Sequence, residues 1–194
     1  MDELRLVEVG VLPAGLLADL ARFLHLRNGR HCENTAPRLE PDFAFDPARA
    51  QYDSRKLLTA LEKEASRRSA TLIGVADVDL GSTIFSYVFG ESRLGGDAAI
   101  VSMRRLRPEE YGLPADPLLP LARLRRVVLH EVGHLAGLLH CREPDCVMRF
   151  SGVAEEVDLL DDGFCAVCGE TFLDHLRAGG AASSPPPIDS GDGR

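Results

Sequence analysis

Residues 130 to 140 read HEVGHLAGLLH, and this string restricts the local structure more than any other part of the chain. His130 and His134 are four residues apart, so on a helix they project from one face with Cβ atoms roughly 5–6 Å apart. Two zinc–nitrogen bonds of about 2.0–2.1 Å can close across that gap. The spacing therefore predicts a helix that carries two metal ligands.

Gly137 is predicted to end this helix, because glycine readily adopts the left-handed conformation that stops a helix. The chain then turns and brings His140 to the metal as a third ligand. Three nitrogen ligands leave a fourth position open for water, which is typical of a catalytic zinc. A His-Glu-x-x-His match alone arises by chance in unrelated proteins, whereas the longer pattern with the glycine and the third histidine is far more specific.

Glu131 follows the first histidine and is not expected to bind the metal. Its carboxylate is predicted to reach a metal-bound water, whose pKa a zinc ion lowers from about 15.7 towards roughly 7. As a general base, Glu131 would take a proton from that water and later deliver it to the leaving amine. The motif thus predicts hydrolysis of a peptide bond by zinc-activated water.

Four cysteines form a second pattern directly after the third histidine. Cys141 and Cys146 have four residues between them, Cys165 and Cys168 have two, and eighteen residues separate the pairs. This spacing predicts a closed, tetrahedral and structural zinc site, so that two zinc ions per chain are expected. The alternative is that the cysteines form two free or disulfide-bonded pairs. If the chain lies in a reducing cytoplasm, disulfide bonds are disfavoured.

Composition excludes several classes of partner. The 194 residues include 22 basic and 30 acidic side chains, and the net charge of -8 argues against a nucleic-acid partner. No apolar run approaches the roughly 20 residues of a membrane span, and the N-terminus lacks the features of a secretory signal. We therefore expect a cytoplasmic monomer with no membrane partner and a peptide or protein substrate.

The pattern of apolar residues predicts an α/β domain. Alternation of apolar and polar residues predicts a strand at residues 4–11. Further strands are predicted at 71–78, 83–89 and 98–103, the last two as an antiparallel hairpin, with a short strand around 43–45. Helical spacing predicts helices from residue 16, from Asp53 or Ser54, and from Asp116 through the histidine motif. The basic residues of this last helix are expected to face solvent: Arg123, Arg125 and Arg126.

The organisation predicted from these elements is one catalytic domain over residues 1–178. It comprises an N-terminal α/β part, 1–136, and a C-terminal zinc-binding part, 137–178. Residues 179–194 are rich in Gly, Ala, Ser and Pro and are expected to form a disordered tail.

The string HEVGHLAGLLHC, followed by REPDC, VM and CAVC, resembles the archaemetzincin family of metzincin zinc metallopeptidases. Residues 74–80, 84–92 and 104–114 are also similar to strands and a loop of that family. The resemblance implies a metzincin-like compact domain in which a twisted mixed β-sheet with packed helices lies over the active-site helix. The 16 residues between Met148 and Cys165 are one fewer than the family pattern leads us to expect.

Further roles are implied by the same resemblance. Met148 would be the methionine of the Met-turn beneath the catalytic metal. A substrate would lie extended and antiparallel to an edge strand, for which residues 84–89 are the candidate. Cleavage similar to that of an aminopeptidase, on short peptides, is also implied.

Adjacency in the chain predicts a coupling between the two metal sites. Cys141 directly follows His140, and Cys146 lies two residues before Met148. We therefore expect the structural zinc to fix the loop that carries the third catalytic ligand.

Two rival functions stay open. A zinc-binding peptide-recognition protein with negligible turnover would keep the metal ligands, but it has no chemical need for Glu131. A structural protein similar to a zinc ribbon would use the four cysteines and leave the histidine helix unexplained. The enzyme and the recognition protein both predict two zinc ions, whereas the ribbon predicts one.

A few other residues are weaker candidates. His31 and Cys32 are adjacent but lack a partner at ligand spacing, so a reduced pair is expected, and a thiolate switch at Cys32 is disfavoured. Asp77 and Asp79 suit a cap or turn as well as a cleft. Tyr111 would stabilise an oxyanion only if its loop folds over the metal.

Overall fold

Strands and helices alternate through most of the chain and give way to short helices and loops near its C-terminal end. The computed structural model describes residues 3–28, 32–33 and 38–178, so His31 and the predicted tail at 179–194 lie outside the described residues. The elements in chain order are β1 (Leu4–Val9), α1 (Leu16–Asn28), β2 (Cys32–Glu33), β3 (Phe45–Asp46), β4 (Gln51–Asp53), α2 (Ser54–Arg68), β5 (Thr71–Ala76), β6 (Leu80–Gly81), β7 (Gly90–Ser92), β8 (Ala98–Ser102), α3 (Leu119–Leu135), α4 (Ala154–Asp158) and α5 (Ala166–Arg177).

The main sheet has five strands in the order β2-β1-β5-β8-β7. The first four run parallel, and β7 pairs antiparallel with β8 at the edge, so the predicted mixed sheet is confirmed. The edge hairpin uses β8 as predicted, but its other strand is Gly90–Ser92 and not residues 83–89. Every residue of β5 and of β8 is buried. Parallel strands covered by helices on both faces have this continuous burial.

The sheet separates two apolar cores. Helices α1 and α3 cover one face, where the fully buried side chains include Leu20, Leu24, Ile73, Val101 and Val128. Helix α2 covers the other face, where they include Leu57, Leu58, Leu61, Leu72 and Ile100. Strands β3, β4 and β6 form a second, smaller sheet. No helix within the described ranges is long and apolar enough to cross a membrane.

The predicted strand at residues 83–89 is wrong. This segment forms bends, and strand pairing begins only at Gly90. Two of its carbonyl groups are bound by a side chain: the Arg49 guanidinium donates to the carbonyls of Phe85 at 3.3 Å and Ser86 at 2.8 Å. Ile84 is 77% exposed, so the apolar alternation here does not mark a buried face.

Two smaller boundaries also differ from the prediction. Residues 42–44 form a 3-10 helix, and the strand beside them is limited to Phe45–Asp46. The motif helix begins at Leu119 because Asp116 caps it from outside, where its Oδ1 accepts the N–H groups of Leu118 and Leu119. The predicted cap of α2 is confirmed, since the Asp53 side chain accepts the Lys56 N–H.

The prediction that the arginines of α3 face solvent is wrong for Arg123, whose side chain is only 4% exposed. Its guanidinium donates to both carboxylate oxygens of Asp158, at 2.8 and 2.6 Å, and to the Leu106 carbonyl. A carboxylate 35 residues away therefore compensates the burial of this charge and attaches α4 to α3. Arg126 is also mostly covered and lies 3.0 Å from Asp162.

Candidate active site and metal centres

Helix α3 ends where the predicted glycine stands. Gly137 has φ 85°, in the left-handed region. Its N–H donates to the His134 carbonyl at 2.9 Å, and the next N–H, of Leu138, donates to the Gly133 carbonyl at 3.0 Å. This pair of bonds is the Schellman arrangement that closes a helix and reverses the chain. The reversal carries the chain back towards the histidine face of α3.

The three predicted histidines meet at one point. Ring nitrogens of His130, His134 and His140 lie within 4.8 Å of one another, and the Nε2 atoms of the first two are 3.0 Å apart. The Nδ1 atoms of these two rings bond to carbonyl oxygens, that of His130 to Val147 at 2.7 Å and that of His134 to Leu138 at 2.8 Å. A carbonyl can only accept, so each Nδ1 carries the proton and each Nε2 is left with its lone pair. Carbonyl partners of this kind orient histidines that bind zinc.

Burial favours the neutral form of these rings. It lowers the pKa of His130 to about 4 and also lowers the pKa of His134 and His140 below the ordinary value. The neutral imidazole is the form that binds a metal. The donor set and its protonation therefore fit a zinc ion with three nitrogen ligands.

Glu131 is buried beside the histidines, with 5% of its surface exposed. The Ser92 hydroxyl donates to its Oε2 at 2.5 Å. Burial raises the pKa of the Glu131 carboxyl above its ordinary value. A carboxylate with a raised pKa is a better acceptor for a proton near neutral pH.

Met148 lies directly beneath α3, where the family resemblance implied the Met-turn. The side chain is fully buried, and its sulfur occupies the space that a Cβ atom on Gly133 would need. The same hypothetical Cβ would also lie 3.1 Å from the Phe164 ring. Only a glycine at position 133 leaves room for this packing. The Cys141 N–H donates to the Met148 carbonyl at 2.9 Å, which ties this turn to the chain that follows the third histidine.

The four predicted cysteines form a second cluster. The Sγ atoms of Cys141, Cys146, Cys165 and Cys168 lie within 4.8 Å of one another. All four are free cysteines in the structure, with no disulfide between them. The Sγ atoms of Cys141 and Cys165 are 3.8 Å apart, close to the edge of a tetrahedron with zinc–sulfur bonds of about 2.3 Å.

The surroundings of the sulfur atoms also suit a cation. Backbone N–H groups of Glu143 and Cys165 point at the sulfurs of Cys141 and Cys146, at 3.4 and 3.3 Å. Burial raises the pKa of the Cys146 and Cys168 thiols. A bound metal ion reverses this effect because it stabilises the thiolate directly.

A cavity of 410 Å³ opens onto the histidines and Glu131. One wall is the segment 82–92, and the opposite wall is formed by residues 147 and 149–152. Besides the apolar residues of these two walls, the lining includes three further apolar side chains, which are Val127, Val157 and Leu160. The cavity is therefore large enough for one or two peptide side chains and partly apolar.

The two walls touch each other across the cavity. The Tyr87 hydroxyl donates to the Gly152 carbonyl at 3.1 Å, and the Phe85 and Phe150 rings lie 6.2 Å apart. The Phe150 ring is also 5.3 Å from the His140 ring. These cross-cavity contacts close the opening between the walls next to the third histidine.

The structure separates the weaker candidates from the site. Asp77 and Asp79 bind the guanidinium groups of Arg107 and Arg105, which is a structural role. The Tyr111 hydroxyl donates to the Arg105 carbonyl at 2.8 Å, and Tyr111 does not line the cavity. Cys32 is buried in the core, where desolvation raises its pKa to about 12, and it belongs to neither metal cluster.

Sequence reasoning missed Ser92 and Phe150 as parts of the site. Phe150 belongs to no recognised motif, and Ser92 is only the last residue of the stretch 84–92 that is similar to the archaemetzincin family, with no role assigned to it. The strand that borders the cavity is β7, Gly90–Ser92, whereas residues 84–89, predicted as the strand that binds substrate, form no strand.

Comparison with known proteins decides the family. The model of peptidase family M54 matches residues 38–173. The chain belongs to this family. Among its M54 relatives, the archaemetzincin of Methanocaldococcus jannaschii is 34% identical over 174 residues, which cover 87% of this chain and 94% of the relative. The archaemetzincin of Methanopyrus kandleri is 37% identical over 140 residues, with coverage of 72% and 76%.

Solved structures of the family share the fold. A zinc-dependent peptidase from Methanocorpusculum labreanum aligns with a TM-score of 0.79 at 27% identity, covering 87% of this chain and 99% of that chain. The archaemetzincin structure from Methanopyrus kandleri aligns with a TM-score of 0.72 at 29% identity, covering 91% and 97%. Membership of this archaemetzincin family makes the chain a zinc metallopeptidase.

Proposed function

We propose that this M54 peptidase hydrolyses peptide bonds with Glu131 as general base and with His130, His134 and His140 as ligands of a catalytic zinc. The observation that carries the proposal is the convergence of three oriented ring nitrogens and one buried carboxylate on the same cavity. A recognition protein requires only the ligands, whereas hydrolysis also requires the carboxylate.

Each side chain has a defined task in this mechanism. A zinc ion held by the three histidines would polarise the scissile carbonyl and lower the pKa of a water molecule. Glu131 accepts the proton of the attacking water and returns it to the nitrogen of the leaving amine. The carbonyl groups of Val147 and Leu138 keep two of the histidine rings in the orientation that presents Nε2.

We further propose that Cys141, Cys146, Cys165 and Cys168 hold a second, structural zinc, which gives two zinc ions per chain. Four sulfur ligands leave no open position for water, so this site contributes to folding and not to hydrolysis.

Short peptides, cleaved near one end as by an aminopeptidase, are the substrates that we propose. The cross-cavity contacts support this, because a long chain lying between the walls would have to displace the Tyr87 bond and the Phe150 ring. We also propose a cytoplasmic monomer without nucleic-acid or membrane partners, in keeping with the net charge of -8.

The test is cleavage of a peptide library of graded lengths by the zinc-loaded protein, with Glu131→Gln in parallel. We expect turnover that is greatest for short peptides and that falls by at least about 100-fold in Glu131→Gln. Equal turnover by both proteins would contradict the role of Glu131. Binding of peptides by both proteins without any turnover would support a recognition protein instead.

A further inference from the structure

Strand β7 presents its side chains to two different helices. Residues alternate between the faces of a strand, so positions 90 and 92 share one face and position 91 lies on the other. Glu91 accepts a hydrogen bond from Ser54 and lies 3.7 Å from Arg55, both on α2. Gly90 and Ser92 instead face α3, where both contact Glu131.

At position 90, the strand leaves room for the Glu131 carboxylate only because the residue is glycine. A Cβ atom there would lie 2.7 Å from Oε1 and 3.0 Å from Cγ of Glu131. Both distances are shorter than ordinary contacts between such atoms. The carboxylate therefore lies flat against the backbone of β7.

Ser92 distinguishes the two oxygens of that carboxylate. Its hydroxyl donates to Oε2 at 2.5 Å, and Oε1 makes no hydrogen bond within the part of the chain that the structure describes. Oε1 thus remains as the oxygen with a lone pair available to a molecule in the cavity.

The position of Ser92 relative to α3 is held at both ends of the hairpin. Ser92 is paired with Ala99 of β8, and the Phe89 carbonyl before the strand accepts the Ser102 N–H at 2.8 Å. In the turn after the strand, the Gly95 N–H donates to the His134 carbonyl at 2.8 Å. The hairpin is therefore bonded to the same helix that carries the base.

We propose that Ser92 is a positioning residue for the general base. Its hydroxyl occupies Oε2 and directs Oε1 to the reacting water. In the proton transfer, an O–H bond of water breaks and an O–H bond to Oε1 forms, while Ser92 keeps its own proton. This proposal rests on the proposed role of Glu131 and assigns a task to a residue outside both metal clusters.

The test compares Ser92→Ala with Ser92→Thr, which retains the hydroxyl. Loss of a hydrogen bond to a charged group changes a rate or equilibrium constant by a factor of about 10 to 100. We expect Ser92→Ala to lower kcat by about that factor, to change KM by less than about twofold and to retain both zinc ions. Ser92→Thr should recover most of the lost kcat. The control is Ser66→Ala on the exposed face of α2, far from the cavity lining, which should leave kcat unchanged.

A second measurement does not depend on turnover. In a crystal structure of zinc-loaded Ser92→Ala, we expect the Glu131 carboxylate to be rotated or split between two orientations. An unmoved carboxylate, an unchanged kcat, or a loss that follows zinc content would each overturn the proposal. The two proposals can fail separately. If the wild type shows no turnover but the carboxylate is still reoriented in Ser92→Ala, the proposed function is contradicted and the positioning by Ser92 is retained.

Discussion

The regions before and after Gly137 are stabilised in different ways. The N-terminal region, taken as the described residues up to 136, has a five-stranded sheet between two apolar cores. The C-terminal region, residues 137–178, contains helices α4 and α5 and no strand. It exposes several large apolar side chains, which are Leu139, Phe150, Val153, Leu159, Val167 and Leu173. Side chains of the second region, among them Val147, Met148 and Phe172, pack into the core that α1 and α3 cover. We propose that this region depends in addition on a zinc ion held by its four cysteines.

The catalytic site lies on the boundary between these regions. Two histidines and Glu131 belong to helix α3, and the third histidine belongs to the region that carries the four cysteines. Val147 and Met148 of the second region contact α3 through the His130 ring and through Gly133. We therefore expect that a zinc ion held by the four cysteines would affect catalysis, because it would hold the loop that carries the third ligand in place.

Removal of metal is expected to have the largest effect. Treatment with a strong chelator should abolish turnover and remove amide-exchange protection from residues 138–178, while β1, β5 and β8 keep theirs. Structural zinc sites of this kind supply folding free energy to the segment that they hold. Hydrogen-exchange mass spectrometry of chelated and zinc-loaded protein measures this, and full protection of residues 138–178 without metal would show that the two regions do not differ in this way.

Loss of one thiolate is expected to have an intermediate effect that spreads to the catalytic site. Cys165→Ser should lose the structural zinc and weaken binding of the catalytic zinc by about 10- to 100-fold. The reason is that Cys141 follows the third histidine and is bonded to the Met148 carbonyl.

Metal content and zinc competition titrations measure this coupling. Cys32→Ala is the matched control, because Cys32 is a buried thiol in the core away from both clusters, and it should keep two zinc ions. If Cys165→Ser retained its catalytic zinc with unchanged affinity and full activity, the two sites would be independent.

The smallest expected effect concerns the packing between the regions. Gly133→Ala should lower the free energy of unfolding by about 1–3 kcal/mol, because the new methyl group displaces Met148 and Phe164. Gly169→Ala on α5 is the matched control, since a Cβ there would meet only the Phe164 Cβ, at 3.9 Å. It should be neutral or stabilising by up to about 1 kcal/mol. Urea unfolding measures the free energy of unfolding of both variants. If the two substitutions changed it equally, the contact of Gly133 with Met148 would be loosely packed.

Short-range spacing made much of the site predictable from sequence. The i, i+4 geometry of a helix and the left-handed glycine determine where His130, His134 and His140 meet, and paired spacing places the cysteines together. Three of the predicted strands, at residues 4–11, 71–78 and 98–103, contain the observed strands β1, β5 and β8.

The misses have long-range causes. The segment 83–89 looks like a strand, but the guanidinium of Arg49 binds the carbonyl groups of Phe85 and Ser86. Arg123 looks like a solvent-facing residue, but Asp158 lies 35 positions away and pairs with it. Ser92 reaches the general base only through the register of β7 against α3. None of these contacts has a local signature in the sequence.

Anomalous diffraction at the zinc edge tests most directly the claim that both regions build the catalytic centre. For zinc-loaded crystals we expect two peaks per chain. One should lie about 2.0–2.1 Å from Nε2 of His130 and His134 and from a ring nitrogen of His140, and the other about 2.3 Å from the four cysteine sulfurs. In crystals of Cys165→Ser, the first peak should lose occupancy together with the second. A catalytic peak without His140 as a ligand, or one at full occupancy in Cys165→Ser, would contradict the account.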